Sequence, residues 1–310
     1  MFHRRGELKM PNRIIEIATD NQKLSVFRGF LRIEKEGNVT DVPFNHICAL
    51  MVTAHQVVYT HNLLQRLCEE GIPLVVLGKN YLPNGILLSL VGHVRQTEIQ
   101  HLQTEQKLPI YKKIWQKIIQ EKIKNQSRVL DLICDNNPLE GLSETVLSGD
   151  TDNREGYAAK LYFKALFGTD FIRNRDTGGI NAFLNYGYAV LRSALARYVV
   201  ASGLNPAYGI EHHNKLNPFC LVDDLIEPFR PLVDITVYRL FEKDTEITEL
   251  TVKHKALFAG LLTTMFKTKT GESPLYMILQ QCVWDLVNIY KTGRIEFNFT
   301  PYLFEEETDD

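Results

Sequence analysis

The stretch GIEHHNKLNPFCLVDDLIEPFRPLVD, residues 209–234, combines histidines, carboxylates and prolines within an otherwise apolar run. The three-residue spacing of Asp224 and Glu227 predicts that both carboxylates lie on one face of a helical turn. Pro228 and Pro231 each remove a backbone donor and disfavour an undisturbed helix. A carboxylate beside a proline kink in an apolar run is a poor choice for stability alone, so the pattern indicates a functional role.

The same stretch carries a candidate ligand set for a divalent cation. His212 and His213 are followed by the acidic residues Asp223, Asp224 and Glu227. A histidine with two or three carboxylates is a hard, oxygen-rich set that suits Mg²⁺ or Mn²⁺ better than a metal that prefers sulfur. A structural interpretation stays open: the aspartates could cap a helix, the histidines could lie on a solvated turn, and Glu227 could pair with Arg230.

Length and composition describe an ordinary globular protein with two domains. The chain has 310 residues, of which 45% are hydrophobic and 23% charged. No apolar run is long enough to span a bilayer, and residues 1–13 have no secretory signal. The five cysteines are scattered and never form a CxxC pair. They predict reduced thiols in a cytoplasmic protein and exclude a disulfide scaffold or a zinc ribbon.

The charge is near balance overall but is segregated along the chain. The net charge is −2, yet residues 107–128 hold seven basic residues and one acidic residue, Glu121. In this segment isoleucines form an apolar helical stripe, and Lys112, Lys113 and Lys117 lie largely off it. The basic side chains are either a solvated face or a stripe that contacts phosphates. The final residues, EEETDD, predict a solvated acidic tail.

The period of the apolar pattern changes along the chain. Residues 14–91 alternate as in strands, with a predicted turn at Gly37-Asn38 and one helix ending at Gly71. From about residue 97 the period is helical. We therefore predict an α+β protein, with a small β-rich domain at residues 1–92 and a larger all-α catalytic domain at residues 93–310. No GxGxxG or P-loop supports nucleotide binding.

The segment at residues 152–167 predicts a helix that bears a further carboxylate. Asp152 and Glu155 have the spacing of a capping box, which would give Glu155 a structural role. Glu155 also lies on the stripe of small and aromatic residues formed by Ala158, Ala159 and Tyr162. A carboxylate on that stripe is a ligand candidate. A long apolar helix at residues 181–201 follows, and it ends at Gly203.

Three blocks in order make the pattern specific. NREGYAAKLYF, NAFLNYGYAVL and the stretch at residues 209–234 resemble the signature blocks of the CRISPR-associated spacer-acquisition integrases. That family is the first of the two core adaptation proteins, and the last block is closest to its type II version. The resemblance implies an N-terminal β domain that dimerises and an α-helical catalytic domain. It also implies assembly on a small second adaptation protein.

The resemblance also implies a role for particular residues. Glu155, His212 and Glu227 match the family's catalytic metal ligands, with Asp224 as an additional acid. Type II relatives read GIHH where this chain reads GIEHHN, so His212 takes the functional place and His213 falls one residue beyond it. The side chains that we expect to contact DNA are Lys112, Lys113, Lys117, Lys160 and Arg230.

The activity that the resemblance implies is that of a DNA endonuclease and integrase in antiviral defence, dependent on Mg²⁺ or Mn²⁺. It would insert short double-stranded DNA fragments into a CRISPR repeat array, with a 3′-hydroxyl attacking a phosphodiester. A simple metal-dependent nuclease and a non-enzymatic DNA-binding scaffold remain as alternatives. A zinc hydrolase is disfavoured because the chain has no HExxH motif or thiolate set.

Overall fold

The computed structural model describes residues 13–78, 83–90, 95–268 and 271–297. The chain divides into two compact units, Met1–Leu90 and Val91–Asp310. The predicted domain boundary after residue 92 lies outside the described residues, as do the basic segment at residues 1–12 and the acidic tail at residues 305–310. Among the described residues, no helix is long and apolar enough to cross a membrane.

The first unit is built from strands, as the alternating pattern predicts. They are β1 (Arg13–Ile17), β2 (Gln22–Phe27), β3 (Phe30–Lys35), β4 (Asn38–Pro43), β5 (Ile47–Val52), β6 (Val57–Tyr59), β7 (Leu74–Leu77) and β8 (Pro83–Leu87), with helix α1 at His61–Glu69. One sheet has the order β1-β5-β7-β8 and the other β4-β3-β2-β6. In the first sheet β5 pairs in parallel with β1 and with β7, and all its residues are buried. An uninterrupted apolar strand is typical of such a central parallel position.

Local turn chemistry places the connections of this unit. The hairpin between β3 and β4 turns at Glu36 and Gly37, with φ of 49° and 82°, one residue earlier than predicted. Positive φ at both central residues is what a two-residue hairpin turn of type I′ requires. Helix α1 begins after Thr60, whose side chain accepts a hydrogen bond from Leu63 N, and ends before Gly71, which has φ of 61°.

The second unit is mainly helical. Its elements are α2 (Gln96–Thr104), α3 (Leu108–Asp131), α4 (Arg154–Phe167), α5 (Ile180–Ala201), α6 (Cys220–Leu225), α7 (Arg230–Lys243), α8 (Val252–Gly260), β9 (Met265–Thr268), β10 (Gly271–Pro274) and α9 (Leu275–Thr292). The two strands form an antiparallel hairpin. The prediction of an α+β fold is confirmed, but the all-α description of the second unit is wrong at this hairpin, because a polar connection also suits exposed strands.

Helix α5 is the centre of the second unit. It is buried along nearly its whole length and packs against α6, α7, α8 and α9. Close packing requires Gly187, because an added Cβ would lie 2.3 Å from Val233 Cγ1 and 3.0 Å from Phe258 Cδ1. The long apolar helix predicted at residues 181–201 therefore serves as the core against which α6 and α7, the helices on either side of the proline-broken turn, are packed.

Candidate functional site

The start of α4 fixes Glu155. The Asp150 carboxylate accepts hydrogen bonds from Arg154 N at 2.8 Å and Glu155 N at 3.0 Å. Asn153 is the N-cap and accepts from Gly156 N at 3.1 Å. The predicted capping box that begins at Asp152 is wrong, because Asn153 adopts a left-handed conformation with φ of 54°, which asparagine tolerates. Glu155 is thereby freed from capping, and its side chain is a quarter exposed (25%).

The proline-broken turn fixes Glu227. Helix α6 ends at Leu225, a short 3-10 helix spans Glu227–Phe229, and α7 begins at Arg230. Pro228 cannot donate a backbone hydrogen bond, and its carbonyl accepts one from the buried Asn125 side chain at 2.8 Å. Because the helix is interrupted between them, Asp224 and Glu227 bind different partners. Glu227 is buried beneath the turn.

A buried carboxylate orients His212. Asp224 contacts His212 Nδ1 through Oδ1, and its Oδ2 accepts hydrogen bonds from Ile210 N at 2.6 Å and Glu211 N at 3.0 Å. Gly209 is required here, since an added Cβ would lie 2.2 Å from the His212 carbonyl oxygen. With Nδ1 held, Nε2 is the ring nitrogen that can bind a ligand.

The environment of His212 differs from that of the adjacent His213. The His212 side chain is half-exposed, and the edge of its ring meets Trp115 of α3 with the centroids 5.6 Å apart. The hydrogen bond with Asp224 raises the pKa of His212 against the effect of burial, and the charges of Glu227 and Glu155 raise it further. Glu155 and Glu227 are therefore close enough to His212 for their charges to affect its protonation. His213 is exposed to solvent.

A lysine joins the two glutamates. Lys122 of α3 is buried, and its Nζ lies 2.6 Å from Glu155 Oε1 and 2.5 Å from Glu227 Oε2. Arg230 Nε lies 2.8 Å from the other oxygen of Glu227. Burial alone would raise the pKa of Glu227, but Arg230 and Lys122 outweigh that effect and lower it. Burial would likewise lower the pKa of Lys122, and Glu227 and Glu155 reverse that shift.

The donor set fits a hard divalent cation in its chemistry. Two carboxylates and an imidazole whose second nitrogen is held by a carboxylate are typical ligands. The position between the carboxylates is filled by a cation, the Lys122 ammonium, and Glu227 Oε2 accepts no aligned hydrogen bond there. Over the described ranges, no three His, Cys, Asp or Glu side chains form a group ready to hold a metal ion. Convergence of Glu155, His212 and Glu227 on one ion stays a prediction.

The candidate DNA-binding residues separate into two sets. Lys112 and Lys113 on α3 and Lys160 on α4 are exposed. Lys117 pairs with Glu121, 3.2 Å away. Arg230 is largely buried, and its guanidinium lies 4.6 Å from the centroid of the Tyr188 ring as well as against Glu227. The structure thus places Arg230 with the carboxylates, as the structural interpretation of the sequence suggested.

A family model described as "CRISPR associated protein Cas1" matches residues 15–269, which is more than half of the chain. This chain belongs to the Cas1 family. The resemblance predicted from the three sequence blocks is confirmed. The stretch at residues 209–234, including both histidines and the proline-broken turn, lies within the matched region.

One Cas1 relative agrees with this assignment, and two solved structures share the fold. The CRISPR-associated endonuclease Cas1 of Neisseria meningitidis serogroup C (strain 8013) is 43% identical over 232 residues, 74% of this chain and 76% of the relative. A casposase bound to an integration product has a TM-score of 0.76 at 19% identity, covering 96% of each chain. A Cas6-RT-Cas1–Cas2 complex has a TM-score of 0.77 at 18% identity, covering 94% of this chain and 36% of that one.

Sequence reasoning about this Cas1-family chain did not single out Lys122 or Asp234. Lys122 follows Ile118 and Ile119 by four and three residues, so it lies on the apolar stripe of α3. A lysine on an apolar face is a signal for a buried partner. Asp234 is buried in α7 and contacts the Tyr188 hydroxyl, and burial raises its pKa to about 7. Asp234 follows Leu232 and Val233 and precedes Ile235, so its place in an apolar run was a comparable signal of burial.

Proposed function

We propose that this chain is a metal-dependent DNA endonuclease and integrase that inserts short DNA fragments into a CRISPR repeat array. The reaction is the attack of a fragment's 3′-hydroxyl on a phosphodiester of the repeat. The observation that carries the proposal is that Glu155 and Glu227 bind one cation, the Lys122 ammonium. Both carboxylates are also close enough to His212 to raise its pKa. The chain is a Cas1 family member with a relative named as an endonuclease.

In this proposal Glu155, His212 and Glu227 hold Mg²⁺ or Mn²⁺. A bound divalent ion would neutralise phosphate charge and polarise the phosphorus toward attack. Asp224 would keep the proton of His212 on Nδ1, so that Nε2 offers its lone pair. Arg230 would hold one oxygen of Glu227 and fix the direction of the other. The exposed lysines Lys112, Lys113 and Lys160 would contact the DNA backbone, with Lys117 beside them.

The partners we propose are double-stranded DNA, a second copy of this chain and a small second adaptation protein, and we propose a cytoplasmic location. Support for the small protein comes from a neighbour whose title names a Cas1–Cas2 complex. Support for the second copy comes from the first unit, where Phe27, Phe30, Val39 and Val58 are exposed. Apolar side chains that one chain leaves uncovered suit a symmetric interface between two copies.

The deciding experiment compares two DNA fragments with the purified protein, the small partner protein and Mg²⁺ or Mn²⁺. A short duplex with free 3′-hydroxyls should become covalently joined to a plasmid that carries the repeat, and a duplex with blocked 3′ ends should not. Equal products from both fragments would identify water as the attacking group and favour the simple nuclease.

Two variants separate the enzyme from a DNA-binding scaffold. Glu155→Gln should abolish joining while DNA binding persists. Loss of one group that stabilises charge at a reaction centre lowers the reaction rate by about 10²–10³-fold. Glu246→Gln, at an exposed glutamate after α7, should join DNA like the unaltered protein. If the unaltered protein and Glu155→Gln bind DNA alike and neither joins it, the scaffold function replaces the proposal.

A further inference from the structure

The buried ammonium of Lys122 occupies the place that a metal ion would need. It bridges one oxygen of Glu155 and one oxygen of Glu227, at 2.6 Å and 2.5 Å. A divalent ion that both carboxylates bind would lie between the same two oxygen atoms. An ammonium and a divalent ion cannot both lie against the same two oxygen atoms. Filling of the site by metal therefore has to move Lys122.

We propose that Lys122 is a positioning residue that competes with the divalent ion: its ammonium holds Glu155 and Glu227 until the metal displaces it. This inference rests on the proposed function, because it assumes that these glutamates bind the metal. Lys122 then sets the metal concentration at which the site fills. It also keeps the two carboxylates in position when the metal is absent.

The need for an internal cation follows from the burial of the glutamates. Glu227 is buried and Glu155 is mostly so, and two desolvated carboxylates that face one position repel each other. Arg230 neutralises only the far oxygen of Glu227. Without Lys122 the near oxygens would have no positive charge between them. The bridge thus stabilises the fold around the site before any metal arrives.

The side chain of Lys122 is suited to move, whereas that of Arg230 is not. A lysine ammonium is a point charge on a flexible four-carbon stem. The Arg230 guanidinium lies over the Tyr188 ring and is held by Glu227 Oε1. A planar group fixed on two sides has less freedom to leave. Displacement by metal is therefore assigned to the lysine, and Arg230 stays on Glu227 in both states.

Metal titration tests the competition. Mn²⁺ binding is measured by calorimetry for the unaltered full chain and for Lys122→Met, which keeps the length of the side chain but removes its charge. We expect Lys122→Met to bind Mn²⁺ at least tenfold more tightly. Lys122→Arg, which keeps a positive charge, should not gain affinity. Lys124→Met on the same helix removes a lysine that pairs with Glu121, and it should bind Mn²⁺ as the unaltered protein does.

Chemical labelling tests the displacement itself. The unaltered protein is treated briefly with an amine-acetylating reagent with and without Mg²⁺, and each lysine is quantified by mass spectrometry. Mg²⁺ should increase the acetylation of Lys122 several-fold, while Lys113, exposed on the same helix, should not change. This readout needs no activity and no variant, so it holds even if Lys122→Met fails to fold.

The outcomes separate this inference from the proposed function. If the unaltered protein binds Mn²⁺, Glu155→Gln does not, and Lys122→Met binds no more tightly, the competition is overturned while the metal site stands. Unchanged acetylation of Lys122 at saturating Mg²⁺ also overturns it. If Glu155→Gln binds Mn²⁺ as well as the unaltered protein, the metal site and the competition both fail.

Discussion

Replacement of Asp224 tests how this chain prepares His212 for its role. The Asp224 carboxylate accepts hydrogen bonds from Ile210 N and Glu211 N on one oxygen and meets His212 Nδ1 with the other. Asp224→Ala leaves these donors without their acceptor, at about 1–3 kcal/mol for each one that stays buried. Because Glu211 and His212 reach solvent, we expect a total loss of about 3 kcal/mol in the free energy of unfolding.

Asp224→Asn has a different expected result. The asparagine carbonyl can keep both backbone hydrogen bonds, so its amide N–H group must face His212 Nδ1. Nδ1 then has to accept, the ring proton moves to Nε2, and the nitrogen that should bind metal loses its lone pair. We expect a stability loss of about 1 kcal/mol, and a 10–100-fold loss of metal affinity.

The assays are urea unfolding, Mn²⁺ calorimetry and the ¹⁵N shifts of the His212 ring, which report its tautomer. Asp223→Asn is the matched control, because Asp223 contacts Arg192 and Asn217 instead of the histidine. It should leave the tautomer and the metal affinity of the protein unchanged. If Asp224→Asn keeps the proton on Nδ1 and binds Mn²⁺ like the unaltered protein, Asp224 does not orient His212 and the reasoning fails.

Three further predictions concern DNA binding, pH and assembly. In a filter-binding titration, the logarithm of the DNA-binding constant is plotted against the logarithm of the salt concentration. The double variant Lys112→Ala, Lys113→Ala should make this slope shallower by about 2. Lys253→Ala, on α8, should leave the slope unchanged. Burial raises the pKa of Asp234 to about 7, so the folded protein keeps a proton there that the unfolded chain loses near pH 4. The free energy of unfolding should therefore fall by up to about 1.4 kcal/mol per pH unit as the pH rises between these two pKa values. Asp234→Asn should remove this dependence on pH. An unchanged dependence in the variant would contradict the raised pKa of Asp234. Light scattering at micromolar concentration should show a dimer that Phe30→Glu dissociates and Leu216→Glu, at an exposed leucine of the second unit, does not; a monomer before substitution would rule the dimer out.

The periodic parts of the fold could be predicted from sequence because one face of each element is apolar. Strand alternation in residues 14–91 and the long helix at residues 181–201 are such cases, and the structure has them. The hairpin of β9 and β10 was missed because each strand has only four residues, too few to show a period, and only Phe266 among them is buried. The capping of α4 was misplaced because two candidate caps, Asp152 and Asn153, are adjacent, and only the backbone conformation of Asn153 decides between them.

The partners of the site residues were harder to predict than the residues themselves. The three sequence blocks indicated Glu155, His212 and Glu227. In the structure the ammonium of Lys122 lies between the two glutamates, and the sequence interpretation did not include this contact. Lys122 was grouped with its neighbours as part of a basic segment, because a charge count treats every lysine as exposed. Burial is a property of the folded helix, and only the position of Lys122 on the apolar stripe could have revealed it.

The inner face of α3 connects the segments of the candidate site. Trp115 meets His212, Lys122 meets Glu155 and Glu227, and Asn125 donates to the carbonyl of Pro228. These three α3 residues are spaced by seven and three positions, so they lie along one side of the helix. Over ten residues the helix rises by about 15 Å, enough to reach the start of α4, the segment that carries His212 and the proline-broken turn. The same helix carries Lys112 and Lys113 on its exposed side, so one element bears both the partners of the candidate ligands and the lysines that we propose contact DNA.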